Sequence, residues 1–171
     1  SGANKTMAVA ARITVLVAII AWVSASESAF CSWSDASCPT QQLNDIIASG
    51  LAPADGLGRV LTSSHSTQTI AAGVSPKSVH VFGAAGVGTW SEATVLTPPP
   101  ALGAASAFGA AVALTDGTLL VGAPSASRAL VYGKSNGAWA SSPSVPVEPP
   151  AGVDQFGHAV AVRGPRAAVA G

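Results

Sequence analysis

Short motifs in this chain return at nearly one interval, and that periodicity limits the open architectures more than any other feature. Phe108-Gly109 recurs as Phe156-Gly157, 48 residues on, and each pair leads into Ala-Val-Ala, at Ala111 to Ala113 and Ala159 to Ala161. Trp90 recurs as Trp139 after 49 residues, each with a glycine two places before it, at Gly88 and Gly137. Val81-Phe82-Gly83 recurs as Val131-Tyr132-Gly133 after 50. Self-similarity at a fixed period marks a chain built from stacked supersecondary units.

The best-defined unit starts at Phe108. Apolar runs at Ala110 to Leu114 and Thr118 to Val121 flank Asp116-Gly117, and runs at Ala129 to Tyr132 and Ala138 to Ala140 flank Asn136-Gly137. An Asp-Gly or Asn-Gly pair between apolar runs favours a type I′ hairpin, because both central residues accept positive φ. The unit therefore reads as four strands, at about 110–115, 118–122, 129–133 and 137–141. Four strands in roughly 50 residues is the size of one β-propeller blade. Such turn chemistry excludes a solenoid of helix pairs.

On these residues the chain resembles the FG-GAP repeat family, found in the β-propeller of integrin α chains. Phe108-Gly109 matches the FG element and Gly122-Ala123-Pro124 the GAP element, with Val121 as the aliphatic residue before it. The next copy opens with Asp154-Gln155-Phe156-Gly157 and ends in Ala168-Val169-Ala170-Gly171, with Gly171 read as the first residue of another GAP. The preceding copy is degenerate, with Leu57-Gly58 for FG and Gly73-Val74-Ser75 for GAP. The resemblance covers residues 57–171. It implies an all-β fold, a partial β-propeller of about two four-stranded blades and the start of a third, completed by further blades beyond Gly171. Calcium-binding members carry an Asp-rich loop between the two elements, since Ca²⁺ takes about six to eight oxygen ligands. Here that loop offers Asp116 alone, so neither a metal nor a cofactor is expected and Asp116 reads as a turn former.

The N-terminal region reads differently. With Met7 as the start, Arg12 supplies a positive flank, Ile13 to Val23 is an apolar run of 11 residues with Thr14 its one polar member, and Val23-Ser24-Ala25 presents compact residues where a signal peptidase cuts. The run is shorter than the ~20 residues a spanning helix needs, so residues 1–25 read as a signal peptide and the mature chain as lacking a membrane span. Cys31 and Cys38 follow, and in an exported chain two nearby thiols are expected to pair. That disulfide would staple a lead-in segment, residues 26–56, and contribute about 2 kcal/mol. Two cysteines without a nearby histidine do not complete a zinc site. Thr40 to Ala48 reads as a short amphipathic helix, with Thr40 as N-cap, Leu43, Ile46 and Ile47 on one face, and Gly50 as its stop.

Charge narrows the function. Charged residues make up 9% of the chain and eight basic side chains balance eight acidic ones, so there is no basic stripe for nucleic acid. His65 lies among Ser63, Ser64 and Ser66, but without the strand-turn-helix context a nucleophile requires. His80 and His158 read as outward-facing strand residues. Trp33, Trp90 and Trp139 could form a sugar platform, yet the last two recur with the period and read as packing residues. No catalytic residue is expected. The sequence thus reads as a secreted or cell-surface, non-enzymatic recognition or adhesion module for an extracellular protein or glycan ligand. The alternative is an accessory propeller of a larger exported hydrolase or lyase, with a structural wall or matrix component as a third reading.

Overall fold

Val, Ile, Leu, Ala and Thr dominate the segments between turns, and in the computed structural model those segments are strands. The structure describes residues 12–13, 46–86 and 89–171, and it is all-β, with antiparallel sheets and almost no helix. A two-residue pairing of β1 (Arg12–Ile13) with β2 (Ile46–Ile47) comes first. A four-stranded meander follows: β3 (Val60–Ser64), β4 (Thr69–Val74), β5 (Ser78–Gly86) and β6 (Thr89–Leu96). The second sheet holds β7 (Ala111–Leu114), β8 (Thr118–Ala123), β9 (Arg128–Ser135), β10 (Ala138–Trp139) and β11 (Val145–Val147). Last is the hairpin of β12 (Ala159–Arg163) and β13 (Arg166–Ala170). Three single-turn 3-10 helices, at Pro53–Asp55, Pro100–Leu102 and Pro124–Ala126, are the only helical turns among the described residues.

The middle strands read TIAAGV and TLLVGA, with no in-out alternation, the mark of a strand covered on both faces. All six residues of β4 are buried, as are five of the six in β8. One face of the first sheet, carrying Ile70, Ala72, Val74 and Phe82, is covered by Ile46, Ala48 and Leu51 of the lead-in. The opposite face, carrying Ala71, Val79, Val81 and Leu96, meets Phe108, Val112, Leu119, Val121 and Tyr132 of the second sheet. The far face of that sheet, with Leu120 and Ala129, meets Phe156, Val160 and Val169. β7 lies against β3 and β4, and β12 against β7 and β8.

What locks neighbouring sheets together is a backbone contact. The loops Ala107 to Ala110 and Gln155 to His158 have the same form: the Ala110 N–H donates to the Ala107 carbonyl at 3.1 Å and the His158 N–H to that of Gln155 at 3.0 Å. Ala107 and Gln155 have φ of 55° and 56°, and Gly109 and Gly157 have φ of 82° and 96°. Each loop buries its phenylalanine against the previous sheet and presses a glycine carbonyl onto that sheet's middle strand. A Cβ on Gly73 would collide with the Gly109 carbonyl oxygen, and a Cβ on Gly122 with that of Gly157. The close approach leaves no room for a side chain at either position.

Several sequence expectations need correction. Ile46–Ile47 is extended and paired with Arg12–Ile13 instead of ending a helix; β-branched residues suit a pleated surface, and Ile46 and Ala48 are buried on the first sheet. The rest of the proposed helix, the apolar run of the proposed signal peptide after Ile13, Cys31, Cys38 and Gly88 lie outside the described residues. The fourth strand, expected at 137–141, is split: β10 pairs with the C-terminal part of β9, and after Ser141-Ser142-Pro143 the chain returns as β11 on the same edge, Val145 opposite Val131. Asn136 and Gly137 have φ of 51° and 81°, but Asp116-Gly117 is not a type I′ turn, since neither residue has positive φ. The Gly117 carbonyl accepts the Lys134 N–H at 2.9 Å, which ties this turn to β9. Ala170, not Gly171, takes the place of Gly122, because Ala170 faces Ala159 as Gly122 faces Ala111.

The glycine contact predicts a sharp contrast. Gly122→Ala should lower the unfolding free energy in denaturant titration by about 2 kcal/mol or more, as overpacking against backbone does. Gly83→Ala, where a Cβ meets nothing within 4 Å, should stay within about 0.5 kcal/mol.

Candidate functional site

Two polar constellations stand out, one buried and one open. The buried one lies on β5. His80 is only 1% exposed, which overturns its reading as a surface residue: β5 is covered on both faces, so a strand position turned away from one core faces another. Its Nδ1–H donates to Glu92 Oε1 at 2.5 Å, and the Ser78 hydroxyl donates to Nε2 at 2.9 Å. The ring stacks on Phe82 at 6.4 Å between centroids. Glu92 also accepts the Ser49 backbone N–H at 3.2 Å and the Ser49 hydroxyl. The order Ser78, His80, Glu92 has the connectivity of a nucleophile, base and orienting acid. Ser78 is nevertheless only 5% exposed, and the groove described below does not reach it. Its work is to tie the lead-in, through Ser49, to the first sheet.

The open constellation sits where the β3–β4, β7–β8 and β12–β13 turns meet. A groove of about 560 Å³ runs between them, lined by Ser63 and Ser64, by Leu114 to Thr118, and by Val162, Arg163 and Gly164. Asp116 projects from its turn toward the first sheet. There the Ser64 hydroxyl donates to Oδ1 at 2.6 Å and the Ser66 hydroxyl donates to the same oxygen. These two donors hold the Asp116 carboxyl below its ordinary value of 3.8. Hydrogen bonds to the charged form favour it. Asp116 is therefore a link between sheets as well as a turn residue, a role hidden in the sequence because its partners are 52 and 50 residues away.

The other sequence candidates are spread across the fold. Phe108 and Phe156 are buried between sheets, and Gly109 and Gly157 follow them into β7 and β12. Gly122 and Ala123 end β8, and Pro124 opens a 3-10 turn. Asn136-Gly137 joins β9 to β10. His65 and His158 are exposed and neither lines the groove. Trp139 is buried between the two large sheets with Lys134 over its ring at 5.6 Å, and Trp90 is half-buried against the lead-in core. Both side chains pack against cores, and Trp33 lies outside the described residues. Tyr132 meets Phe108 edge-on at 6.4 Å, and burial pushes its hydroxyl up to about 12.

Among the described residues no group of three or more His, Cys, Asp or Glu side chains is placed to hold a metal ion, and no helix is long and apolar enough to cross a membrane. A scan against protein-family models finds no match to this chain, and a search of curated proteins finds none either.

Two outcomes follow. Glu92→Ala removes the acceptor for both His80 and Ser49 and should cost about 1–3 kcal/mol, with faster proteolysis within residues 46–57. For Asp116 the folded value is depressed, so its stabilising contribution stands in full above the ordinary carboxyl range and is lost as pH falls through the folded value. An NMR titration should place Asp116 below 3.8, and Ser64→Ala with Ser66→Ala should return it toward that value.

Proposed function

We propose that the chain is an exported, non-enzymatic recognition module built as an FG-GAP-like β-propeller segment, and that it binds an extracellular protein or glycan in the groove between its turns. The observation that carries this reading is the groove itself. Its side chains offer hydroxyls, one carboxylate and one guanidinium, with no histidine, cysteine or lysine among them, a set suited to hydrogen bonding with a ligand. Loops at one end of a rigid sheet scaffold are where binding residues concentrate.

Support for the propeller comes from the sheets. Successive sheets pack face to face, the first strands β3, β7 and β12 lie side by side, and the glycine contact joins Gly73 to Gly109 as it joins Gly122 to Gly157. On this reading the outer edge of β13 takes a further strand, as β4 and β8 take β5 and β9, and the exposed Ala159, Ala161, Ala168 and Ala170 are covered by a further blade. Export is supported by the apolar run Ile13 to Val23 and the compact residues after it.

Gly117→Trp tests the groove. Gly117 lines it, has no positive φ, and a Cβ there meets nothing within 4 Å, so an indole would fill the groove without disturbing the fold. The protein should bind at least one ligand on an array of extracellular proteins and glycans, and Gly117→Trp should weaken that binding by about tenfold or more with an unchanged melting temperature. Binding that survives the tryptophan would place the ligand elsewhere.

A further inference from the structure

The outer strand of the second sheet breaks where that of the first runs on. β6 continues for eight residues, whereas β10 ends at Trp139 and β11 starts at Val145. Both ends of the break are pinned to β9: the Ala140 N–H donates to the Gly133 carbonyl at 2.9 Å and the Ser144 N–H to that of Val131 at 2.7 Å. Tyr132 alone separates the two acceptors, but Ser141, Ser142 and Pro143 separate the two donors, so the surplus chain stands off the sheet edge. Ser141, Ser142 and Ser144 are exposed. Among the described residues none of their hydroxyls is held by a hydrogen bond, unlike those of Ser49, Ser64, Ser66 and Ser78. Four of the chain's 12 prolines, Pro143, Pro146, Pro149 and Pro150, fall in and just after the break. Proline has no N–H for a ladder and fixes its φ, which keeps this segment extended and clear of a continuous strand.

We infer that Ser141, Ser142 and Ser144 are acceptors for O-linked glycosylation. This rests on the export part of the proposed reading, because exposed hydroxyl stretches broken by proline are what such transferases glycosylate in exported chains. The enzyme must take the acceptor backbone into its own cleft, and a segment standing off the sheet with unengaged hydroxyls can enter it without unfolding the strands. In the transfer, the serine Oγ attacks C1 of a phosphate-activated sugar. The Oγ–C1 bond forms and the bond from C1 to the phosphate oxygen breaks; the phosphate leaves with the electron pair, and the hydroxyl proton passes to a base of the transferase. Phosphorylation is the competing use of a serine hydroxyl, but it adds nearly two negative charges that basic neighbours stabilise. No lysine or arginine lies between Lys134 and Arg163 in the sequence, and Arg128, across from this segment, is paired with Glu148 at 3.4 Å. A sugar here covers the broken edge against pairing with another chain. It also sits on the opposite side of the sheet order from β7, whose turn lines the groove, and leaves that groove open.

Mass spectrometry of the full chain, recovered separately from its native cells and from their medium, tests this. Trypsin releases residues 135–163 as one peptide, bounded by Lys134 and Arg163. In the exported chain that peptide should carry one or more hexose or N-acetylhexosamine residues, and electron-transfer fragmentation should place them on Ser141, Ser142 or Ser144. The variant S141A with S142A and S144A should lose the added mass and keep the parent melting curve, since all three side chains are exposed. Three results overturn the inference: the exported peptide is bare, it carries phosphate in place of sugar, or its sugar lies on another residue and survives in the triple variant. A bare peptide on a chain found in the medium removes the glycosylation and leaves export standing, whereas a bare peptide on a chain found only inside the cells removes both.

Discussion

The structure depends on a carbonyl oxygen resting where a side chain would be. Gly109 and Gly157 each bring their carbonyl onto the middle strand of the sheet before, and Gly73 and Gly122 leave the space for it. The approach is a weak contact in itself, of the Cα–H to carbonyl kind, but it sets how close two sheets come. At that separation Phe108 fits between the first sheet and the second, and Phe156 between the second and β12–β13. The Gly109 N–H donates to the Gly122 carbonyl at 3.0 Å and the Gly157 N–H to that of Ala170 at 3.0 Å, so each loop is also tied to the strand pair it introduces. One dipeptide thus fixes the spacing to the previous sheet and the start of the next.

Burial on both faces follows from this stacking, and it accounts for the polar groups inside. A strand such as β5 has no solvent face on which to leave His80, so the imidazole must be satisfied within the core, and Glu92 and Ser78 do so. An unpaired buried polar group costs about 1–3 kcal/mol. The same network recruits Ser49, and the lead-in thereby becomes the layer that covers the first sheet. Its apolar contribution comes from Ile46, Ala48 and Leu51, which pack on Ile70, Ala72, Val74 and Phe82.

The all-β class was legible because its signals are local: short apolar runs, their spacing, and the turn residues between them. The Asn136-Gly137 turn draws on nothing beyond its own strands, and both residues hold positive φ. What escaped the sequence was settled at a distance. Asp116-Gly117 has the composition of a type I′ turn, but Gly117 is held by Lys134 and the Asp116 carboxylate by serines of another sheet. Similarly, His80 reads as an outward residue only if β5 has an outside; the run Val79-His80-Val81-Phe82, apolar on both alternations, was the available sign that it has none. Ile46 and Ile47 fit a helical face and a strand equally well, and contact with the first sheet decides between them.

The division of labour between scaffold and groove has a consequence for specificity. Ser64 and Arg163 close β3 and β12, Thr115 directly follows β7, and Thr69, Thr118 and Arg166 open the second strands of the three units. None of these six takes part in the glycine contact, which lies at the other end of the strands. The groove end can therefore change its chemistry from hydroxyl to guanidinium between one unit and the next while the sheets keep their spacing. Each unit thus contributes one pair at this end of its first two strands, and the identity of the pair is free of the packing that sets the sheet spacing.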